Sequence, residues 1–406
     1  MSRTFAALRH PHFRAMWIAL LLSNTGTWMQ TVSQGWLVYQ LTDSQVYLGS
    51  VGLVRALPLL TLSLVGGAAA DRFDRRRLLY VTNTAAAVLS LLLAVLTWTG
   101  TVRVWHILAI GLLSAAVLSF DQPTRQAFIP TLVPRELLMN AISLNSMTFN
   151  GAAVFGPALA GALVPWIGLG GNFFLNALSY AAVPLALWRM KLPPQPERAP
   201  RRVADDLREG LRYVRGRPDL LALLAAAAGL SFFARSYVAL LPVFARDILK
   251  AGVQGLGLLM AAPGLGTVLG ALLLAHLGDF RAKEKLLLGS GLGLCGALVA
   301  FAFSRSFTAS LGLQVVAGAA SVVASSVINT LLQLSVDDAM RGRVMSMYTL
   351  TMLGMLPLGQ MPLGALGEAW GAPWAVTLFA CVAAGVLVGA LSASARRAGA
   401  RRAPAA

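Results

Sequence analysis

Four apolar stretches of the chain carry polar residues at helical intervals. Asn24, Trp28, Thr31 and Gln34 follow steps of four, three and three, and Ser321, Ser325, Asn329 and Gln333 repeat every four residues. Ser114, Asp121 and Arg125 share another stretch, and Ser231 and Arg235 a fourth. On a helix each set gathers on one face. Hydrocarbon cannot satisfy such groups, so the faces must turn to protein or water, and the chemistry they offer is the binding and passage of a solute. Taken one at a time, a Ser or Thr is better explained by helix packing. Asp121, with Arg125 at i+4, is the one acid on these faces and the candidate proton site.

Arg55 and Arg235 also lie inside apolar runs. An arginine at a helix centre costs about 2.5–3.5 kcal/mol on insertion scales, so it should be paired or face water. Asp43 and Glu368, at the ends of neighbouring runs, are the acids within reach. The set Arg55, Asp43 and Glu368 reads as an outer gate, with Arg235 and Arg55 as possible anion contacts; snorkelling toward the interface is the other reading.

The elements that must hold these residues follow from composition. The chain has 406 residues, 57% hydrophobic and 12% charged, with a mean hydropathy of +0.69; a water-soluble domain is excluded. Runs near 14–40, 46–70, 78–99, 104–124, 141–165, 169–189, 219–245, 254–277, 285–303, 307–334, 344–368 and 372–393 are long enough to cross a bilayer, which predicts twelve helices. The first run is too long for a secretory signal and no cleavage site follows it.

Of the 33 Lys and Arg, 27 fall in segments that twelve alternating spans place on the side of the N-terminus, so both termini are expected in the cytoplasm. The net charge of +17 therefore reports orientation, and no nucleic-acid partner is implied. Four scattered histidines and two cysteines inside apolar runs give no metal-ligand spacing and predict free thiols. No nucleophile, base and orienter stand together, so no enzyme is expected.

One long polar interruption, with Pro193, Pro194, Pro196 and Pro200, divides the chain into a bundle over 1–190, a linker over 191–218 and a bundle over 219–406 that ends in a basic tail. In the linker Val203, Leu207, Leu211 and Val214 form a stripe, which predicts a short amphipathic helix lying against the membrane surface. The halves repeat weakly, Asp71 aligning with Asp279 and Gly161 with Gly364, as in transporters with parallel repeats.

The loop from Gly67 to Arg77 resembles the Gly-x-x-x-Asp-Arg-x-Gly-Arg-Arg signature of the major facilitator superfamily, with Gly67, Asp71, Arg72, Arg75 and Arg76 matching and Asp74 in place of the second glycine. The segments 120–146, LLPVFARDIL from Leu240 and RGRVMSMY from Arg341 are similar to its drug-exporter and enterobactin-exporter subgroup, which includes macrolide efflux proteins. GAAVFGPALAG, from Gly151 to Gly161, resembles the Gly-Pro signature of its antiporters.

The resemblance implies an all-α membrane protein of two six-helix bundles. It implies a cytoplasmic gate of Asp71, Arg72, Arg75, Arg76, Asp121 and Arg125, and a substrate path lined from the first, fourth, seventh and tenth helices by Asn24, Trp28, Thr31, Gln34, Ser231, Arg235, Ser325, Asn329 and Gln333. The expected activity is efflux of drug-like or amphipathic small molecules by alternating access, with proton antiport and no cofactor, in the bacterial inner membrane and with a monomer favoured. A siderophore exporter of the same fold is the alternative. From another class, a non-transporting scaffold or signalling protein would have no use for the polar faces.

Overall fold

A computed structural model describes residues 3–188, 190, 203–278, 280 and 282–402. The prolines of the linker, Asp279 with its alignment to Asp71, and the side chains of the basic tail lie outside the described residues. Among the described residues the regular structure is helical throughout.

The first four helices are α1 (Pro11–Thr42), α2 (Gln45–Arg72), α3 (Arg75–Trp98) and α4 (Val104–Phe128). Their boundaries have local causes. Pro11 at the first turn of α1 gives up an amide that no helix would use. Asp43 ends α1 in the left-handed region at φ +48°, its N–H donating to Tyr39 O. Asp74 caps α3, accepting from Arg77 N at 2.7 Å. That cap explains why this loop turns without the glycine of the signature.

α5 (Leu138–Trp188) is 51 residues long, about twice what a bilayer needs. Gly168, at φ +69°, breaks it. That conformation is strained for any residue with a Cβ, so the glycine joins the predicted fifth and sixth spans in one kinked element. α6 (Val203–Arg215) is the linker helix, and α7 (Pro218–Gly229) opens the seventh span. The sequence predicts that span as one plain helix. It instead passes through π turns at Leu230–Ala234 and Phe244–Ile248, with 3-10 turns and the short α8 (Leu241–Val243) between them. Ser236 Oγ donates to Phe232 O and to Leu356 O within this irregular stretch, a hydroxyl competing with the main-chain ladder.

The remaining helices are α9 (Gly252–Leu277), α10 (Lys283–Phe303), α11 (Phe307–Ser335), α12 (Asp338–Trp370) and α13 (Ala372–Arg402). Nine helical stretches of the described residues are long and apolar enough to cross a membrane, one of them the 54-residue Arg135–Trp188. α1 and α12 fall short of that hydropathy, α1 because of the polar face of residues 24–34 and α12 because of its glycines, prolines, hydroxyl residues and Gln360. Counting both, and α5 as two passages, twelve spans are consistent with this architecture.

By contacts the chain forms two compact units. The first comprises residues 1–43, 54–201 and 251–261; the second comprises 44–53, 202–250 and 262–406. In the first, Phe13, Met16, Leu20, Leu79, Phe128, Leu144 and Leu187 belong to one buried cluster that binds α1, α3, α4 and α5 together at one end. In the second, α6 packs on α12. Glu209 pairs with Arg343 at 3.1 Å, Tyr213 Oη donates to Asp337 Oδ2 at 2.8 Å, and Val214 is buried. Arg217 adds a bond to Ser335 O at 2.9 Å. Apolar periodicity shows that a helix has a face but not what covers it.

Candidate functional site

The first unit holds a buried polar network on four helices. Asp121 of α4 is 3% exposed. One of its oxygens accepts from Thr82 Oγ1 at 2.9 Å and from Asn83 Nδ2 at 2.7 Å, both on α3. The other pairs with Arg125, one turn along α4. Arg125 reaches on to Asn83 Oδ1 at 3.2 Å and Asn24 Oδ1 at 3.4 Å, and Asn24 donates to Thr148 Oγ1 of α5 at 3.2 Å. The carboxylate is thus held by a guanidinium and two neutral donors, which is what a buried charge requires.

Beside this network lies a cavity of about 40 Å³, lined by Thr27, Gln30, Thr31 and Gln34 of α1, Arg55 of α2, Thr82 and Asn83, Gly111, Ser114 and Asp121 of α4, and Tyr180 of α5, among others. Two further contacts brace its wall: Gln30 Oε1 accepts from Ser90 and Asn176, and the Thr27 and Tyr180 hydroxyls share a bond of 2.9 Å. Thr31 and Gln34 therefore do face a cavity, together with the arginine of the second span and the acid of the fourth. Trp28 packs on Phe149 of α5, ring centroids 6.5 Å apart.

The loop between α2 and α3 is built differently from the expected gate. Asp71 meets Arg75 at 3.8 Å, with Asp71 37% exposed, a pairing worth little in water. The Arg75 guanidinium is buried and donates to Ala70 O at 3.1 Å and Ala127 O at 3.0 Å, closing the ends of α2 and α4 together. Arg76 reaches Trp188 O at 3.4 Å, and Arg72 is exposed. Asp121's partners are Thr82, Asn83 and Arg125, not these arginines. Arg75→Ala would leave two carbonyls without their donor, a loss of about 1–3 kcal/mol. We expect this variant to insert normally and to turn over several-fold more slowly per folded molecule in a vesicle flux assay. Wild-type turnover would remove the loop from the gate.

In the second unit Arg235, Ser321, Ser325 and Met352 line a cavity of about 10 Å³. Ser325 donates to Ser321 O within its helix. Ser231 is turned away, donating to Met352 O at 3.0 Å, and so packs the seventh span on α12. Asn329 and Gln333 bond to each other at 2.5 Å, with Gln333 exposed, and neither lines this cavity.

Glu368 serves neither arginine. It accepts from Ser44 Oγ at 2.7 Å, Gln45 N at 2.6 Å and Val46 N at 3.1 Å, so it caps the N-terminus of α2 from 322 to 324 residues away. Asp43 ends α1. Thr82 and Asn83 were the site residues that periodicity missed. They lie on α3, where Asn83, Ser90 and Thr97 recur every seven residues, and the rule that a buried acid needs donors also points to them. Cys295 and Cys381 are free thiols.

Comparison with known proteins assigns the family. The sequence profile of the transmembrane secretion effectors matches residues 2–401. The chain is similar to the staphyloferrin A transporter of Staphylococcus aureus, 26% identical over 354 residues that cover 85% of this chain and 87% of the relative. It is also similar to the enterobactin exporter EntS of Salmonella typhimurium, 28% identical over 344 residues that cover 84% and 82%. Among solved structures the nucleoside transporter NupG matches with a TM-score of 0.76 at 13% identity, over 94% of this chain and 98% of that one. A bacterial homologue of the lysosomal transporter Spinster matches with a TM-score of 0.72 at 17% identity, over 97% and 95%. At those identities the structures establish the fold alone. The two sequence relatives, the family profile and the helical architecture agree: this multi-pass membrane protein belongs to the transmembrane secretion effectors of the major facilitator superfamily of transporters.

Proposed function

We propose that the protein is a secondary active exporter of siderophore-type chelators, working by alternating access in the bacterial inner membrane with both termini in the cytoplasm. The observation that carries the cargo is the pair of relatives, one named for staphyloferrin A and one for enterobactin, each aligned over most of both chains. They favour a siderophore over the drug-like molecules that the resemblance to macrolide exporters suggested. The polar cavity beside an apolar bundle surface supports solute passage. Asp121 is the acid that supports proton coupling, because a proton on it would cancel the charge that holds Arg125 and loosen a network joining α1, α3, α4 and α5.

The test is flux in proteoliposomes with and without an imposed pH gradient. Enterobactin and a dye of the macrolide-efflux type are the two substrates. We expect enterobactin to accumulate in response to the gradient, and the dye to move slowly or not at all. Dye accumulation without enterobactin flux would restore the drug reading, and flux of neither above protein-free vesicles would overturn export altogether.

A further inference from the structure

We propose that the cavity of the first unit is an oxyanion subsite, in which Arg55 receives a planar two-oxygen anion carried by the cargo. The inference rests on the exporter reading for the ligand's role as cargo, but its argument is local.

Charges around the cavity do not balance. Asp121 is matched by Arg125 and by two neutral donors, and Arg125 turns Nη1 and Nη2 toward Asn24 and Asn83. One positive charge is left over. Arg55 lines the same cavity, and among the described residues no hydrogen bond or ion pair joins it to any acceptor. Of the acids expected for it, Glu368 is held at the start of α2, and no ion pair joins Asp43 to it. A half-buried guanidinium within an apolar span is costly without a counter-ion unless a ligand supplies one.

The surroundings suit a planar, two-oxygen anion. A guanidinium presents parallel N–H groups that match a carboxylate bidentately, a fit that an ammonium lacks. Ser114 Oγ and the Gln34 amide also line the cavity; Gln34 Nε2 makes only a long bond of 3.4 Å to Ile107 O, leaving a proton to donate. Space is kept open by Gly111, where an added Cβ would sit 3.5 Å from Gln34 Nε2 and 4.0 Å from Arg55 Cγ. At about 40 Å³ the cavity takes one acidic group with a water or two, not a whole chelator, so it is a subsite for the acid end of a larger molecule.

The experiment measures binding rather than flux, using the full chain in lipid nanodiscs, titrated calorimetrically with citrate and with its uncharged trimethyl ester. Wild type should bind citrate and not the ester. Arg55→Gln should weaken citrate binding at least tenfold, and Arg55→Lys, which keeps the charge and loses the fork, should fall between. Gly111→Val fills the cavity without removing a charge, and its Cβ meets only ordinary contacts; it should lose citrate binding as well. Equal citrate affinity in wild type, Arg55→Gln and Gly111→Val overturns the subsite, as does binding of the ester with the same affinity as citrate. The flux assay separates the two readings. Enterobactin flux with no Arg55-dependent citrate binding removes the subsite and leaves export standing, whereas Arg55-dependent binding without flux of any substrate does the reverse.

Discussion

Asp121→Asn is expected to abolish gradient-driven accumulation of cargo while exchange down a gradient persists. The amide keeps the shape of the side chain but not its charge. If its oxygen accepts from Thr82 and Asn83, its NH2 faces Arg125, and if the amide is flipped its NH2 faces Asn83 Nδ2, so a donor meets a donor either way. Breaking one partner out of a buried pair costs about 3–5 kcal/mol, because the other charge stays buried. Folded yield should therefore fall as well, and a loss of transport alone would not distinguish coupling from stability.

The double variant Asp121→Asn with Arg125→Gln separates them. With both charges gone, folded yield and thermal stability should recover most of what the single variant lost. Gradient-driven accumulation should not recover. If the double variant concentrates cargo as wild type does, or if the single variant does, Asp121 is structural and protons couple elsewhere.

The sequence exposed the parts of this site that lie on one helix and hid the parts that lie between helices. The i+4 pair Asp121–Arg125 and the face of Thr31 and Gln34 are consequences of 3.6 residues per turn, and both occur where spacing puts them. The twelve apolar runs follow from bilayer thickness alone. Glu368 shows the limit. Its distance along the apolar run suggested a partner for Arg55 or Arg235, but three donors at the start of α2 reach it first. Unsatisfied N–H groups at a helix start compete strongly for any carboxylate nearby. The seventh span teaches the same lesson in its backbone: its composition is that of a plain helix, and its first π turn and the 3-10 turn lie where Ser231 and Ser236 meet α12.

The second large effect is expected at a helix crossing. α9 contributes its first turns to the first unit, where Gly257 lies against α5. A Cβ added to Gly257 would fall 2.5 Å from Pro157 O and 2.9 Å from Gly161 Cα. Both are main-chain atoms, so no side chain can swing aside, and the helices would have to separate. Overpacking of this kind costs about 1–3 kcal/mol where it is tolerated at all.

Small residues at such a crossing let backbones touch, and Pro157 removes a main-chain bond from α5 at the same point. If the contact forms in one conformer of the transport cycle and opens in another, Gly257→Val removes the first conformer and leaves the second populated. We expect a loss of turnover of tenfold or more, with normal membrane insertion and a shift in cysteine-labelling pattern toward one state. Gly151→Val on the same helix α5, where an added Cβ meets nothing within 4 Å, is the control and should transport normally. A Gly257→Val protein that turns over at the wild-type rate would show that α5 and the start of α9 stay apart, or can part freely, throughout the cycle. The Gly-Pro segment of α5 would then be a packing device and not a moving joint.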